Sequence, residues 1–297
     1  MFSVKGTIDV IGMRDLEIST IYLSVASIGA ITLGLGYRAY RLRQARRFLT
    51  TRRDWIDRTA PRPSLHQVPA QYYVYVLGSG GHTSEMVELI KKTISCTQKL
   101  HRRYIVTTGD THSPNALARL EHELRAAYPD ERYGTHDTVV VTRARRVHQP
   151  LWTSPWTCVQ CAFEIVSALT RSPGARQRGD GHGHFRYPHV VFTNGPATGF
   201  IVAGVAWLLK LLGLTPADRL KVVYVETWAH VTSLSVTGKL MHWTGLPDLF
   251  CAQHKKLADR YGKLYISGIV APAPRPLERV HRSDSNSGDA QSGQEPA

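Results

Sequence analysis

The run Gly78-Ser79-Gly80-Gly81-His82-Thr83 joins a hydrophobic segment, Tyr72 to Leu77, to a helix-forming one. Glycines at a strand-to-helix turn allow a tight bend and close backbone approach. The helix N-terminus adds free N–H groups and the positive end of a dipole, so such a turn suits a phosphate. The imidazole of His82 beside that cradle can donate or abstract a proton. Equally, His82 can be only a polar first-turn residue. Two further strand ends carry chemistry. Asn194-Gly195-Pro196-Ala197-Thr198-Gly199 follows a fourth apolar run, and Pro196 suits a first helical turn. Glu226 closes a fifth run and is followed by Thr227 and Trp228. In an open α/β sheet the carboxyl ends of the strands form the ligand crevice, so these three elements are expected to meet at one edge.

Several other chemistries are set aside. The Gly-rich turn has Thr83 where the dinucleotide fingerprint requires a third glycine. A nicotinamide-dependent, membrane-bound reductase stays as a rival, with Asp110 near the end of the second strand placed to meet a ribose. The P-loop pattern, the G-x-S-x-G elbow and any Asp-x-Asp triplet are absent. Cys158 and Cys161 form a lone C-x-x-C inside an apolar helical stretch, which reads as core packing. His182, His184 and His189 sit in a Gly-rich stretch without regularly spaced carboxylates, so neither a metal nor another cofactor is expected.

The elements that must position these residues alternate. Apolar runs at 72–77, 104–108, 138–142, 189–193 and 221–226 predict strands, with shorter ones at 249–252 and 264–266. Helical patterns fall at 86–94, 114–127, 155–170, 197–214 and 234–243. This alternation predicts an α/β, Rossmann-like parallel sheet with helices on both faces. Residues 197–214 are apolar except for Lys210, but their place between two strands argues for a packed helix over a second span.

Ahead of that domain, residues 18–37 carry no charge. About 20 residues is the length a helix needs to cross a ~30 Å hydrocarbon core. Asp9, Asp15 and Glu17 precede it in place of a basic leader, so a retained transmembrane helix is preferred to a signal peptide. Arg38, Arg41, Arg43, Arg46, Arg47, Arg52 and Arg53 follow it, which by the positive-inside rule predicts a domain facing the cytosol. The expected organisation is a short lumenal segment 1–17, the span 18–37, a basic juxtamembrane segment and linker 38–70, the domain 71–271, and a disordered tail 272–297. A net charge of +14 calls for an anionic partner. With a membrane helix adjoining the arginines, that partner is read as acidic lipid or phosphorylated substrate, with no nucleic acid. No Asn-x-Ser/Thr acceptor occurs, in keeping with a domain that never enters a glycosylating lumen.

The combination of one anchor helix, G-S-G-G-H-T, N-G-P-x-T and the block VYVETWAHVTSLSVTGKLMHWTGLPDLFCAQ resembles a known family over roughly residues 15–270. It is similar to the membrane-anchoring subunit of the two-subunit transferase that adds the second N-acetylglucosamine to dolichyl-diphosphate-GlcNAc. The resemblance implies the acceptor-side, N-terminal half of a GT-B fold at the endoplasmic reticulum membrane. It also implies a separate soluble subunit that binds UDP-GlcNAc, so the chain alone should be inactive; the apolar end 264–270 is the expected docking edge. The reaction implied is an inverting transfer in which the acceptor 4-hydroxyl attacks the anomeric carbon. By the same resemblance Gly78, Ser79, Gly80, Gly81 and Thr83 cradle the lipid diphosphate, and Asn194, Gly195 and Thr198 form a second substrate-binding turn. His82 or Glu226 is the general base. The chain departs from the family at His230, where Arg is usual, and at Gln253-His254, where Gln-Trp is usual. A non-catalytic membrane scaffold is the remaining alternative.

Overall fold

The computed structural model describes residues 24, 26–45, 70–94, 100–128, 133–144, 154–174, 186–195 and 197–266. Its strands are β1 (Gln71–Val76), β2 (Leu100–Thr107), β3 (Thr135–Val141), β4 (Val190–Asn194), β5 (Lys221–Val225), β6 (Leu249–Ala252) and β7 (Leu264–Tyr265). Its helices are α1 (residues 26–45), α2 (Gly81–Thr93), α3 (His112–Ala127), α4 (Ser154–Thr170), α5 (Ala197–Leu211), α6 (Val236–Thr244) and α7 (Lys255–Tyr261). The strands form one parallel sheet in the order β3-β2-β1-β4-β5-β6-β7. The expected Rossmann-like α/β fold is present. The strand order reverses at β1, which pairs with β2 on one side and β4 on the other.

Alternation along β1 sorts its side chains into two layers, as the pleat requires. Tyr72, Val74 and Val76 pack with Cys161 and Ile165 of α4 and with Val202 and Ala206 of α5. Tyr75 and Leu77 pack with Met86 and Ile90 of α2 and with Leu120 and Leu124 of α3. Truncating any of these buried aliphatics to alanine costs about 2–5 kcal/mol. Across the second layer Tyr75 stacks between Tyr104 and Phe192, its partners in strand register, at 5.8 and 5.1 Å. Cys161 is a buried member of the first layer, and burial pushes its thiol up to about 12.

β2 starts at Leu100, four residues before the predicted strand, because two arginines in it are buried in pairs. Arg102 forks onto Glu121 at 3.0 and 2.7 Å and donates to Tyr133 O. Arg103 forks onto Asp137 at 2.8 and 2.6 Å, and its Nη1 closes off Ala168 O and Arg171 O at the C-terminus of α4. Burial opposes ionisation of Asp137, but the hydrogen bonds and charges of Arg103 and His101 overcome it and hold the carboxyl at about 2. These pairs lie at the amino ends of the strands, away from the crevice.

α1 continues past Tyr37 through Arg38, Arg41 and Arg43 to residue 45. Alanine, arginine, leucine and glutamine are all good helix formers, so nothing in that stretch stops it. Among the described residues no helix is long and apolar enough to cross a membrane. The first residues of the expected span, 18–23, lie outside those described. Arg38 Nε donates to Lys210 O at 3.0 Å, and Leu42 is buried, so the basic end of α1 docks on the C-terminus of α5. Lys210 itself is buried, donating to Leu220 O and Asp248 Oδ2, both at 3.0 Å. The expected docking edge begins at β7, which pairs with β6; residues 267–270 lie outside the described ones.

Candidate active site at the strand-order reversal

The turn after β1 and the turn after β4 flank the point where strand order reverses, which is where open α/β sheets leave a crevice. Gly80 opens α2 at φ 65, a left-handed conformation that glycine reaches without strain. No side chain caps this helix and no acidic residue occupies its first turn. Gly80 and Gly81 are exposed, and a Cβ on either would meet nothing within 4 Å. The helix therefore presents open N–H groups to free space, the condition for holding an anion.

Other members of the turn work inward. Thr83 is buried, and its hydroxyl donates to Gly78 O and meets Ser113 Oγ at 2.5 Å. It ties the turn to α3 and does not face the crevice; Ser79 is half-buried on the turn. Asp110 at the end of β2 is also committed. Its Oδ1 accepts from the N–H groups of His112 and Ser113, both at 3.1 Å, and its Oδ2 accepts from Ser113 Oγ at 2.6 Å. The carboxylate a dinucleotide enzyme would aim at a ribose here holds the first turn of α3.

The second turn meets the first directly. Asn194 is buried and donates through Nδ2 to His82 O at 2.8 Å. Gly195 has φ 65, and a Cβ there would collide with the imidazole of His82. Thr198 is buried in the first turn of α5, and Gly199 is required because a Cβ would run into Thr193 Oγ1. His82 is about one-third exposed; its Nδ1 is buried without a hydrogen-bond partner, which leaves Nε2 as the open ring nitrogen.

Glu226, at the end of β5, is turned inward. It is fully buried beneath the first turn of α6, where a Cβ on Gly238 would overlap its Oε2. Its Oε1 accepts from Thr227 N at 3.0 Å. Burial raises its carboxyl above the usual range, with Ser235, the Thr227 N–H and the charge of His230 pulling the other way. Gln253 Nε2 donates to Glu226 O at 2.9 Å, and His254 stacks on Trp228 at 4.1 Å while its Nε2–H donates to Trp228 O. The two positions at the end of β6 thus brace the loop after β5.

One residue joins all three strand ends, and the sequence reading passed over it. Glu85, one turn into α2, accepts from Thr227 Oγ1 at 2.6 Å and Trp228 N at 3.1 Å through Oε1. Its Oε2 accepts from Asn194 Nδ2 at 3.4 Å and lies 4.0 Å from His82 Nδ1. The signal was available: His82 and Glu85 are three apart and so share a helix face.

Among the described residues no group of three or more His, Cys, Asp or Glu side chains is placed to hold a metal ion. His182 and His184 lie outside them, and His189 Nδ1 accepts from Tyr72 N at 3.0 Å.

The family described as "Oligosaccharide biosynthesis protein Alg14 like" matches residues 73–270 of the chain. Among curated proteins, the UDP-N-acetylglucosamine transferase subunit alg14 of Schizosaccharomyces pombe is 30% identical over 218 residues, covering 73% of this chain and 91% of that protein. The corresponding subunit of Eremothecium gossypii is 34% identical, covering 65% and 77%. That of Mus musculus is 28% identical, covering 71% and 85%.

Proposed function

The chain belongs to the Alg14-like family of oligosaccharide-biosynthesis proteins, and on that premise we propose that it is the membrane-anchored, acceptor-side subunit of a UDP-N-acetylglucosamine transferase of N-glycan precursor synthesis. It holds dolichyl-diphosphate-GlcNAc, and a separate soluble subunit brings UDP-GlcNAc. The observation that carries this reading is the uncapped start of α2, with open space above Gly80 and Gly81 and the imidazole of His82 at its side. That arrangement suits a diphosphate bearing a reactive sugar.

In the reaction the acceptor 4-hydroxyl oxygen bonds to the anomeric carbon of UDP-GlcNAc with inversion. The bond from that carbon to the β-phosphate oxygen breaks, and UDP leaves with the electron pair. The hydroxyl proton goes to His82, whose open nitrogen suits it better than the buried carboxylate of Glu226. A positioned base contributes about 10² to 10⁴ in rate. The apolar positions of α1 up to Tyr37 and the arginines after it support anchoring in the endoplasmic reticulum membrane with the domain in the cytosol.

Co-expression with a soluble donor-binding subunit tests the reading. Transfer of GlcNAc from UDP-GlcNAc to dolichyl-diphosphate-GlcNAc should need both chains. Gly81→Val fills the cradle, where an added Cβ meets nothing within 4 Å, and should raise the acceptor KM. Transfer by this chain alone, or an unchanged KM in Gly81→Val, would overturn it.

A further inference from the structure

Glu85 does more in this geometry than brace a loop. Its Oε1 is satisfied by the Thr227 hydroxyl and the Trp228 N–H. Its Oε2 has only the long contact from Asn194 Nδ2 at 3.4 Å and faces His82 Nδ1 at 4.0 Å. That ring nitrogen is buried and has no hydrogen-bond partner. A buried imidazole nitrogen next to a carboxylate oxygen with spare capacity is a pair separated by about 1 Å of travel. Catalytic hydrogen bonds of this kind are often long before substrate binds and tighten afterwards. The ring is also walled in, since Gly195 abuts it and Asn194 holds the carbonyl of the same residue. Its motion is therefore restricted to small rotations, and Glu85 Oε2 is the carboxylate oxygen that lies beside Nδ1.

We infer that Glu85 is the positioning residue of this site, taking the Nδ1–H of His82 so that Nε2, the nitrogen open to the crevice, carries the lone pair that accepts the acceptor's hydroxyl proton. The inference rests on the transferase reading above. The tautomer follows from the hydrogen bond the other nitrogen makes. With a donor at the Glu85 position the ring would instead keep its proton on Nε2 and could not act as a base. Glu85 never touches the reacting atoms. Through Thr227, Trp228 and Asn194 it also keeps the three strand ends at fixed distances while the proton moves.

The test uses the full chain co-purified with its soluble subunit, with ¹⁵N-labelled histidine and the His82 signals assigned from His82→Gln. Glu85→Gln keeps the size and the Oε1 contacts but places an amide donor toward His82. Its kcat should fall about 100-fold with the acceptor KM within about threefold, on the scale of a lost general base. The ¹⁵N shifts should report movement of the His82 proton from Nδ1 to Nε2. Thr227→Val removes the hydroxyl's bonds to Glu85 and from Ala229 N and should lower kcat by less than about fivefold with the tautomer unchanged. An unchanged tautomer in Glu85→Gln overturns the inference, whatever the activity. So does an equal loss of kcat in Thr227→Val. If the wild-type complex transfers no GlcNAc, the transferase reading fails instead, and the tautomer measurement still decides the role of Glu85.

Discussion

Replacing Gly195 by alanine adds one methyl group at the point where the turns after β1 and β4 touch. The residue sits at φ 65, and the new Cβ would overlap the His82 imidazole. Gly109 provides the control, because it has φ 75 and a Cβ there would meet nothing within 4 Å. Both substitutions carry the left-handed backbone cost of about 1–2 kcal/mol. In a domain of this size about 1 kcal/mol lowers Tm by about 2–4 °C. Gly109→Ala should therefore lose roughly 2–8 °C and keep its transferase rate. Gly195→Ala must also displace the ring or open the turn, which strains the Asn194–His82 hydrogen bond, a further 0.5–1.5 kcal/mol or so. A displacement near 1 Å at a reacting group can cost about 10²-fold in rate. Thermal unfolding of the purified chain and initial rates of the two-subunit complex separate the two effects. The expected result is a Tm loss roughly 1–6 °C greater in Gly195→Ala than in Gly109→Ala, with at least about tenfold lower activity in Gly195→Ala alone. Equal residual activity in the two variants would refute the placement of His82 against this turn.

Glu226→Gln should leave kcat within about threefold, because the side chain is fully buried. Because burial raises its carboxyl above the usual range, the charge is disfavoured in the fold, and the neutral amide should leave stability near pH 7 unchanged or slightly higher. A kcat loss above about 10²-fold at constant KM would return the base to Glu226. Asp137 has a depressed pKa in the fold, so its stabilisation is complete above about pH 4 and is lost as pH falls toward about 2. With solvent screening the loss amounts to about 1–2 kcal/mol, measurable as a falling urea midpoint over that window. The same fall in a variant lacking both Arg103 and Asp137 would show that the pair is not its source. Truncation after residue 271 should preserve co-purification with the soluble subunit, whereas truncation after Lys263 removes β7 and should abolish it; equal binding by both places the docking site elsewhere. An acceptor Asn-x-Thr introduced between residues 175 and 185 should remain unglycosylated in microsomes, and efficient modification would reverse the expected orientation.

The strand–helix alternation was readable because each element had its own apolar period, and β1, β4, β5 and the helices between them lie within a few residues of their expected positions. The start of β2 was not readable. His101, Arg102 and Arg103 look like surface residues until Glu121 and Asp137, 19 and 34 positions away along the chain, supply their partners. The seven-residue α7 was missed because Lys255 to Tyr261 has too few turns to show a period. In the site, the glycines and Asn194 were legible from turn chemistry. The burial of Glu226 was not, since a carboxylate at a strand end reads as a crevice residue unless Gly238 is known to lie against it. For Glu85 only the shared helix face with His82 was legible. Its role depends on Thr227 and Trp228, which lie 142 and 143 residues downstream.

The seam between β1 and β4 has a consequence for how the chain is made. Tyr72 and His189, which meet across it, are 117 residues apart. Synthesis at about 5–20 residues per second leaves β1 with one bare edge for roughly 6 to 23 s after it emerges. During that interval β1, β2 and β3 can pair with each other, since each is joined to the next by a single helical crossover. No crevice exists yet, because one wall of it has not been translated. Nascent chains stalled before residue 190 should thus retain a cohesive half-sheet with an open hydrogen-bonding edge, a natural target for chaperones. The contact between the two turns forms only in a late step, when β4 docks and Asn194 reaches His82.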